Sequence, residues 1–397
     1  MKAGAAEIVM IADDLSGAAD CAVSCAVQGL RTMVQLSEAP SSESAQVLAI
    51  DAATRCMPAD RAAATVARIV APFHSARPPV LFKKLDSLLR GNIGSELAAM
   101  RCGSTPTVIV MAPALPVQGR TTVDGCVWVK GHTLPAAHAP KMLDAAGITS
   151  AQINLVLVRA APPHLAAKLA NLARQFDVLI CDAETEDDLQ TIAAAIAALP
   201  HTGWDGSIIW AGSSGLARHI PEAMGFAGSS DPLEDPHFRG PILVVVGSRT
   251  TVAHEQVGEA RRSDGMTTVL LAPETLREGS TAALGNALNA GKDVMAVIDS
   301  SGQTAEDPRL CAALASLASP HMDKVGALIV TGGETARAVL TASEITGLRL
   351  LREVEAGVPL AVSIGARHIP VITKSGSFGN RATLAHCVQV LRGLKLE

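Results

Sequence analysis

One pattern recurs along the whole chain: a short apolar run stops abruptly at a polar or glycine-rich cluster, and a helical stretch follows. Ile8–Ala12 meets Asp13-Asp14. Val80, Leu81 and Phe82 meet Lys83-Lys84-Leu85-Asp86-Ser87. Ile242–Val246 meets Gly247-Ser248. Short runs with no polar face suit strands buried on both sides, and helices between them make the connections parallel. The pattern predicts an α/β fold, and open sheets of that kind gather their ligands at the C-terminal ends of the strands.

In the first half the pattern places strands at 8–12, 32–36, 47–50, near 81, and at 107–111, 153–158, 178–181 and 208–211. Gly225 to Arg239 then has the Gly, Ser and Pro content of a linker. A second series follows at 242–246, 267–271, 294–298, 327–330 and 369–373. With 397 residues there is room for two to three domains of about 150 each. The expectation is two α/β domains with largely parallel sheets, 1–228 and 240–397, joined by 229–239, with the active site in the interdomain cleft.

Composition removes several functions. The formal charge of −5, the absence of tyrosine and an aromatic content of 2% leave neither a basic footprint nor a stacking platform for nucleic acid. No apolar run reaches the roughly 18 residues of a membrane span. The opening MKAGAAEIVMIADD enters a strand rather than the core of a signal peptide. The eight cysteines are scattered, and Cys21 and Cys25, one helical turn apart, have no histidine nearby to complete a zinc set. Reduced thiols in a cytoplasmic protein are expected.

The densest chemistry lies at Leu81 to Gly94, LFKKLDSLLRGNIG. Lysine and arginine suit an anion, and Asp86 suits a hydroxyl or a proton. Ser87 is placed to cap a helix carrying Leu88, Leu89, Ile93 and Leu97. Asp13-Asp14 could bind Mg²⁺, accept a proton or cap the following helix. Asp51-Ala52-Ala53-Thr54-Arg55 ends another strand. Pro113 to Gly125 is too rich in Pro and Gly for a helix and long for an idle connection; its Gln118, Arg120, Thr121 and Thr122 could donate hydrogen bonds to a carboxylate.

In the second half, three strands run into small-residue loops that open helices: Gly247-Ser248-Arg249-Thr250-Thr251, Thr331-Gly332-Gly333-Glu334-Thr335, and Lys374 to Asn380. Glycine admits close approach of a ligand, and a helix N-terminus offers free amides with partial positive charge. Three such loops on one edge suit a nucleotide's phosphates. Gly212-Ser213-Ser214-Gly215 is a weaker example in the first half. The Walker motif, the dinucleotide glycine fingerprint, the protein-kinase set and the hydrolase elbow are all missing from the sequence.

Taken together these segments resemble the four-carbon acid sugar kinase family. Asp13-Asp14-Leu15-Ser16-Gly17-Ala18 is similar to its A-D-D-L-T-G-A opening. Lys83 to Asn92 resembles K-x-D-S-T-L-R-G-N, and Pro113 to Gly125 resembles P-A-x-P-x-Q-G-R-T-T-x-x-G. Gly247-Ser248, Gly332-Gly333-Glu334-Thr335 and Lys374-Ser375-Gly376-Ser377-Phe378-Gly379 match the second-half motifs. The resemblance spans nearly the whole chain in order. It departs at Ser16 and Leu88, where the family has threonine, and at Arg249-Thr250.

The resemblance implies ATP-dependent phosphorylation of the 4-hydroxyl of a four-carbon sugar acid. D-threonate is the expected acid, with 3-oxo-tetronate and D-erythronate as alternatives and a non-catalytic sensor as the reading from another class. It implies substrate contacts from Asp13, Arg55, Lys84, Leu85, Asp86 and Ser87. It implies nucleotide contacts from Ser248, Gly332, Gly333, Glu334, Thr335 and Gly376, with Mg²⁺ accompanying ATP on protein ligands the sequence does not name. Arg55 and Lys84 would hold the substrate carboxylate. Asp13 and Asp86 are the candidate bases, Asp13 favoured for its fixed place at a strand end. The partners expected are the acid and ATP, and a homodimer is compatible with the family.

Overall fold

The computed structural model describes residues 6–36, 44–101, 106–229, 234–262, 266–272, 282–299 and 308–396. The chain divides into two compact units, Met1–Arg31 with Ser42–Ser230, and Thr32–Ser41 with Asp231–Glu397. The linker expected at 229–239 falls partly on 230–233, outside the described residues.

In the first unit parallel strands lie in the order Val47–Asp51, Ile8–Ala12, Val80–Lys84, Ser207–Gly212, Thr107–Ala112, Val178–Cys181 and Ser150–Ile153. The central strands are buried along their whole length, which is why they read as unbroken apolar runs. The first strand sits between the second and third of its neighbours in sequence, so the chain reverses direction across the sheet beside it. Ligand sites in open α/β sheets form at such a reversal. Asp13-Asp14 and Lys84 to Ser87 leave the sheet on either side of it.

The second unit carries parallel strands in the order Met266–Leu271, Asp293–Ile298, Ile242–Val246, Ala327–Thr331 and Pro370–Lys374. An antiparallel extension of Val358–Gly365, Ile345–Glu355 and Thr32–Gln35 completes it. The strand at Thr32–Gln35 thus belongs with the second unit although it lies early in the chain: it hydrogen-bonds along Gly347–Leu350. The long hairpin 345–365 escapes a periodicity reading because bulges between Ile345 and Gly347, Leu350 and Arg352, and Glu353 and Glu355 break its alternation.

Two other local readings change. The run expected as a strand at 153–158 is a strand, Ser150–Ile153, then a helical turn, Leu155–Val158, because the Asn154 side chain caps the turn by accepting from Leu157 N at 3.1 Å. The segment 113–125 is not a plain loop. It contains a short 3₁₀ turn, Pro116–Gln118, and the strand Arg120–Val123, which pairs with Cys126–Val129. No helix among the described residues is long and apolar enough to cross a membrane.

One buried ion pair ties sheet to helix beneath the functional edge. Lys83 Nζ lies 2.7 Å from Glu96 Oε2 of the helix Ile93–Met100, and both side chains are about 1% exposed. Removing one partner of such a pair strands a buried charge, at about 3–5 kcal/mol, whereas replacing both by apolar groups is far milder. Glu96→Ala should therefore cost about 3–5 kcal/mol in urea unfolding of the first unit. The double variant Lys83→Met/Glu96→Leu should recover most of that loss. A single-variant cost below about 1 kcal/mol, the range of exposed pairs, would show that the pair is not structural.

Candidate active site

The edge of the first unit is built around Arg55. Its Nε donates to Asp13 Oδ2 at 2.7 Å and its Nη2 to Asp13 Oδ1 at 2.9 Å. Its Nη1 donates to Asp14 Oδ2 at 2.6 Å, and Nη2 reaches Asp14 Oδ1 at 3.1 Å. Asp86 Oδ2 stands 3.7 Å away on the third side. The ends of three adjacent strands are thereby fixed to one guanidinium. Burial works against charge here, but the carboxylates outweigh it and keep Arg55 protonated. Burial also pushes the Asp13 carboxyl up, yet Arg55, aided by Lys83 and Lys84, holds it below its ordinary value. Burial raises Asp14 in spite of Arg55, and the adjacent Asp13 charge adds to that rise. Asp14 also caps the helix Leu15–Val27, accepting from Gly17 N at 2.8 Å.

Asp86 shapes its own loop. Its Oδ1 accepts from the backbone N–H of Leu88 at 2.9 Å and of Arg90 at 3.3 Å, and from Arg90 Nε at 3.0 Å; its Oδ2 accepts from Arg90 Nη2 at 2.6 Å. Burial opposes ionisation, but the Arg90 hydrogen bonds and charge hold Asp86 well below the usual carboxylate range. The turn this makes delays the helix: it starts at Ile93, capped by no side chain, and Ser87 is not its cap. The Ser87 hydroxyl instead accepts from Arg120 Nη1. Gly91 has φ +93°, and a Cβ there would come within 3.1 Å of Asp13 Oδ2, so both the backbone and the packing against that oxygen favour glycine. Asn92 Nδ2 donates to the carbonyls of Thr54 at 3.0 Å and Met57 at 2.8 Å, binding the Arg55 loop to the same turn.

The expected contacts therefore divide. Asp13, Arg55, Lys84, Asp86 and Ser87 converge on one edge. The Leu85 side chain does not join them: it is buried in the core, and its backbone N–H donates to Gly212 O at 2.7 Å. Arg55 was expected as the bidentate partner of a substrate carboxylate, but its donors are engaged by Asp13 and Asp14. Lys84 Nζ donates to Leu85 O at 2.8 Å and has no ion-paired carboxylate among the described residues. Ser16 Oγ and Thr54 Oγ1 are buried hydroxyls without a hydrogen-bond partner among the described residues. Arg90 and Asn92 lie inside the quoted motif, but their roles needed the turn that Asp86 makes.

In the second unit, Ile242–Val246, Ala327–Thr331 and Pro370–Lys374 are neighbours in the sheet, so the three glycine loops leave from one edge. Gly333–Ala342 is a helix whose N-cap, Gly332, gives no side-chain hydrogen bond, and its N-terminus lies at the loop. Thr335 is buried beneath Gly247, with Cys311 Sγ 3.4 Å from its hydroxyl, and Glu334 is exposed in the first turn. Ser248 Oγ lies 3.3 Å from Thr250 Oγ1, which donates to Gly376 O at 2.8 Å and accepts from Ala253 N at 3.2 Å. Thr250, a departure from the family motif, thus joins two of the loops.

The third loop is held from beneath. Lys374 Nζ donates to the carbonyls of Ser375 at 2.7 Å and Phe378 at 3.1 Å. Gln256 Nε2 donates to those of Phe378 at 3.0 Å and Asn380 at 2.8 Å. Burial lowers the Lys374 ammonium to about 8, against the opposing pull of Cys387 and Glu355. Among the described residues no three His, Cys, Asp or Glu side chains cluster as a metal cage. Mg²⁺ carried on nucleotide phosphates keeps much of its water and needs no such cage.

Comparison with known proteins follows the same division. Residues 8–220 match the family model of a sugar-binding N-terminal domain, and residues 243–384 that of a nucleotide-binding C-terminal domain. A D-threonate kinase of Cupriavidus necator is 39% identical, the alignment covering 96% of this chain and 97% of that one. A D-threonate kinase of Bordetella bronchiseptica is 30% identical over 98% of each chain. A solved structure from Salmonella typhimurium LT2, named for a tRNA synthase, superposes with a TM-score of 0.76 over 96% of this chain and 98% of that one; at 23% identity it speaks to the fold alone. The chain belongs to the four-carbon acid sugar kinase family.

Proposed function

We propose that this chain transfers the γ-phosphoryl group of ATP to the 4-hydroxyl of D-threonate, giving 4-phospho-D-threonate. The acid binds within residues 1–228 and the nucleotide within 240–397, with 229–239 joining them. The observation that carries the reading is the 39% identity to a D-threonate kinase along nearly the whole of both chains. The preassembled edge around Arg55 supports it, since it offers carboxylate acceptors for hydroxyls beside cations for an acid.

Phosphoryl transfer through a loose transition state depends on positioning more than on a strong base. Asp13 and Asp86 suit that task. Both are kept ionised by cations, so each accepts a hydrogen bond from a substrate hydroxyl without a change of protonation. Asp13 orients the attacking 4-hydroxyl, and Asp86 grips a second hydroxyl. Ionised carboxylates accept and cannot donate, so they favour a hydroxy acid over a 3-oxo acid, whose carbonyl has no proton to give. In the second unit Ser248, the amides at Gly332, Gly333, Glu334 and Thr335, and Gly376 surround the phosphates. Mg²⁺ bound to those phosphates would supply charge neutralisation.

A coupled assay of ADP release over D-threonate, D-erythronate and their 3-oxo forms tests the reading. D-threonate is expected to give the highest kcat/KM; ATP turnover unaffected by every acid would refute it. Asp13→Asn and Asp86→Asn should each lower kcat by about two orders of magnitude or more. A variant that keeps kcat within about threefold removes its residue from the orienting role. Gly376→Val drives a side chain into Ser248 and should raise the KM for ATP at least about tenfold, leaving the KM for the acid little changed. Unaltered ATP affinity would mean the nucleotide binds elsewhere.

A further inference from the structure

If the first unit is the acid site, the substrate carboxylate needs a cation, and the arginines nearest the strand ends are already committed. Arg55 is engaged by Asp13 and Asp14, and Arg90 by Asp86. Arg120 is different. It opens the strand Arg120–Val123, and its guanidinium is half-buried. Its side chain donates from Nη1 to Ser87 Oγ, and no ion-paired carboxylate faces it among the described residues. Asp86 and Asp20 act on it only at longer range. They do not offset the burial that pulls its guanidinium below the ordinary arginine value.

Its backbone is held firmly. Arg120 N donates to Leu115 O at 3.1 Å and Leu115 N to Arg120 O at 2.8 Å. Two residues on, Thr122 N donates to Ala183 O at 2.8 Å and Ala183 N to Thr122 O at 3.0 Å. The side chain is therefore anchored at its base and steered near its tip by Ser87. Ser87 occupies one donor of the planar fork and leaves the others for a bidentate carboxylate. A half-buried cation with no ion-paired carboxylate among the described residues, beside the acceptors for hydroxyls, is what an acid-binding subsite requires.

We propose that Arg120 receives the carboxylate of the sugar acid, with Ser87 as its positioning residue, and that this contact separates four-carbon acids from four-carbon polyols. The inference rests on the kinase reading and adds to it which residue recognises the acid group. Lys84, also without an ion-paired carboxylate among the described residues, contributes charge nearby but lacks the fork.

Steady-state kinetics of R120Q and R120K with D-threonate and with D-threitol, the polyol lacking the carboxylate, test it. A charge-assisted contact of this kind predicts that R120Q raises the KM for D-threonate by roughly 10- to 150-fold with kcat within about threefold. R120K should lie between R120Q and the unmodified enzyme. The KM for D-threitol, weak at the outset, should not move. A loss of kcat at constant KM, or an equal loss for acid and polyol, overturns the proposal and makes Arg120 a partner of the phosphoryl group or of the fold. Should R120Q fail to fold, competition on the unmodified enzyme decides: D-threonamide should bind at least about tenfold more weakly than D-threonate, and equal affinity overturns the assignment. If the unmodified enzyme turns over none of the acids, the kinase reading fails and this inference with it, an outcome distinct from any result on the variants.

Discussion

The first unit depends on one guanidinium enclosed by carboxylates. Arg55 engages Asp13 and Asp14 together and stands 3.7 Å from Asp86. Each group is costly to bury alone, so each is tolerable only because the others are present. The arrangement joins loops from three adjacent strands, and it holds Asp13 and Asp86 as ionised acceptors before any substrate arrives. Preorganised charge of this kind needs no reorganisation at the moment of reaction, which is where electrostatic catalysis gains most. Asn92 and Gly91 serve the same end, one tying the Arg55 loop in place and the other letting the turn pack closely against Asp13.

The second unit solves a different problem with neutral groups. A triphosphate brings its own charge, and backbone amides at a helix N-terminus can meet it without a buried carboxylate to balance. What such loops need is a fixed shape. Lys374 and Gln256 supply it by donating to loop carbonyls from below, and Thr250 links the first loop to the third. The lysine of the K-S-G motif thus acts on the loop's own backbone.

The sheets were legible in the sequence because their central strands, such as Ile8–Ala12, Ile242–Val246 and Ala327–Thr331, are buried along their whole length and stay apolar almost to their ends. The same fact made the site's edge legible, since the first polar residue after each run lies at the ligand side of the sheet. What stayed hidden depends on contacts distant in sequence. Arg55 meets Asp13 from 42 residues away, and nothing in its own segment says that its donors are already taken. The turn at Asp86 was hidden for a local reason: Ser87, Leu88 and Leu89 have the spacing of a capped helix, yet Leu89 adopts φ +56° and the helix waits until Ile93. The hairpin at 345–365 was masked by its bulges, and the strand at Arg120 by the prolines and glycine before it.

That last strand changes how the edge discriminates. All the candidate acids share a carboxylate, so a cation that binds it can exclude polyols but cannot choose among threonate, erythronate and their 3-oxo forms. That choice falls to the groups facing C2 and C3. On the proposed reading the acceptor there is Asp86, which requires a hydroxyl proton, while Asp13 is taken up by the 4-hydroxyl common to all of them. Configuration at a single carbon would move a hydroxyl toward or away from that acceptor, and a buried carboxylate left without its proton donor is a larger penalty than a lost neutral contact. Anchoring the acid end on a side chain outside the Arg55 cluster therefore has a structural advantage. On the proposed reading the cluster would keep its charge balance when the acid binds and leaves, with its aspartates left for the hydroxyls alone.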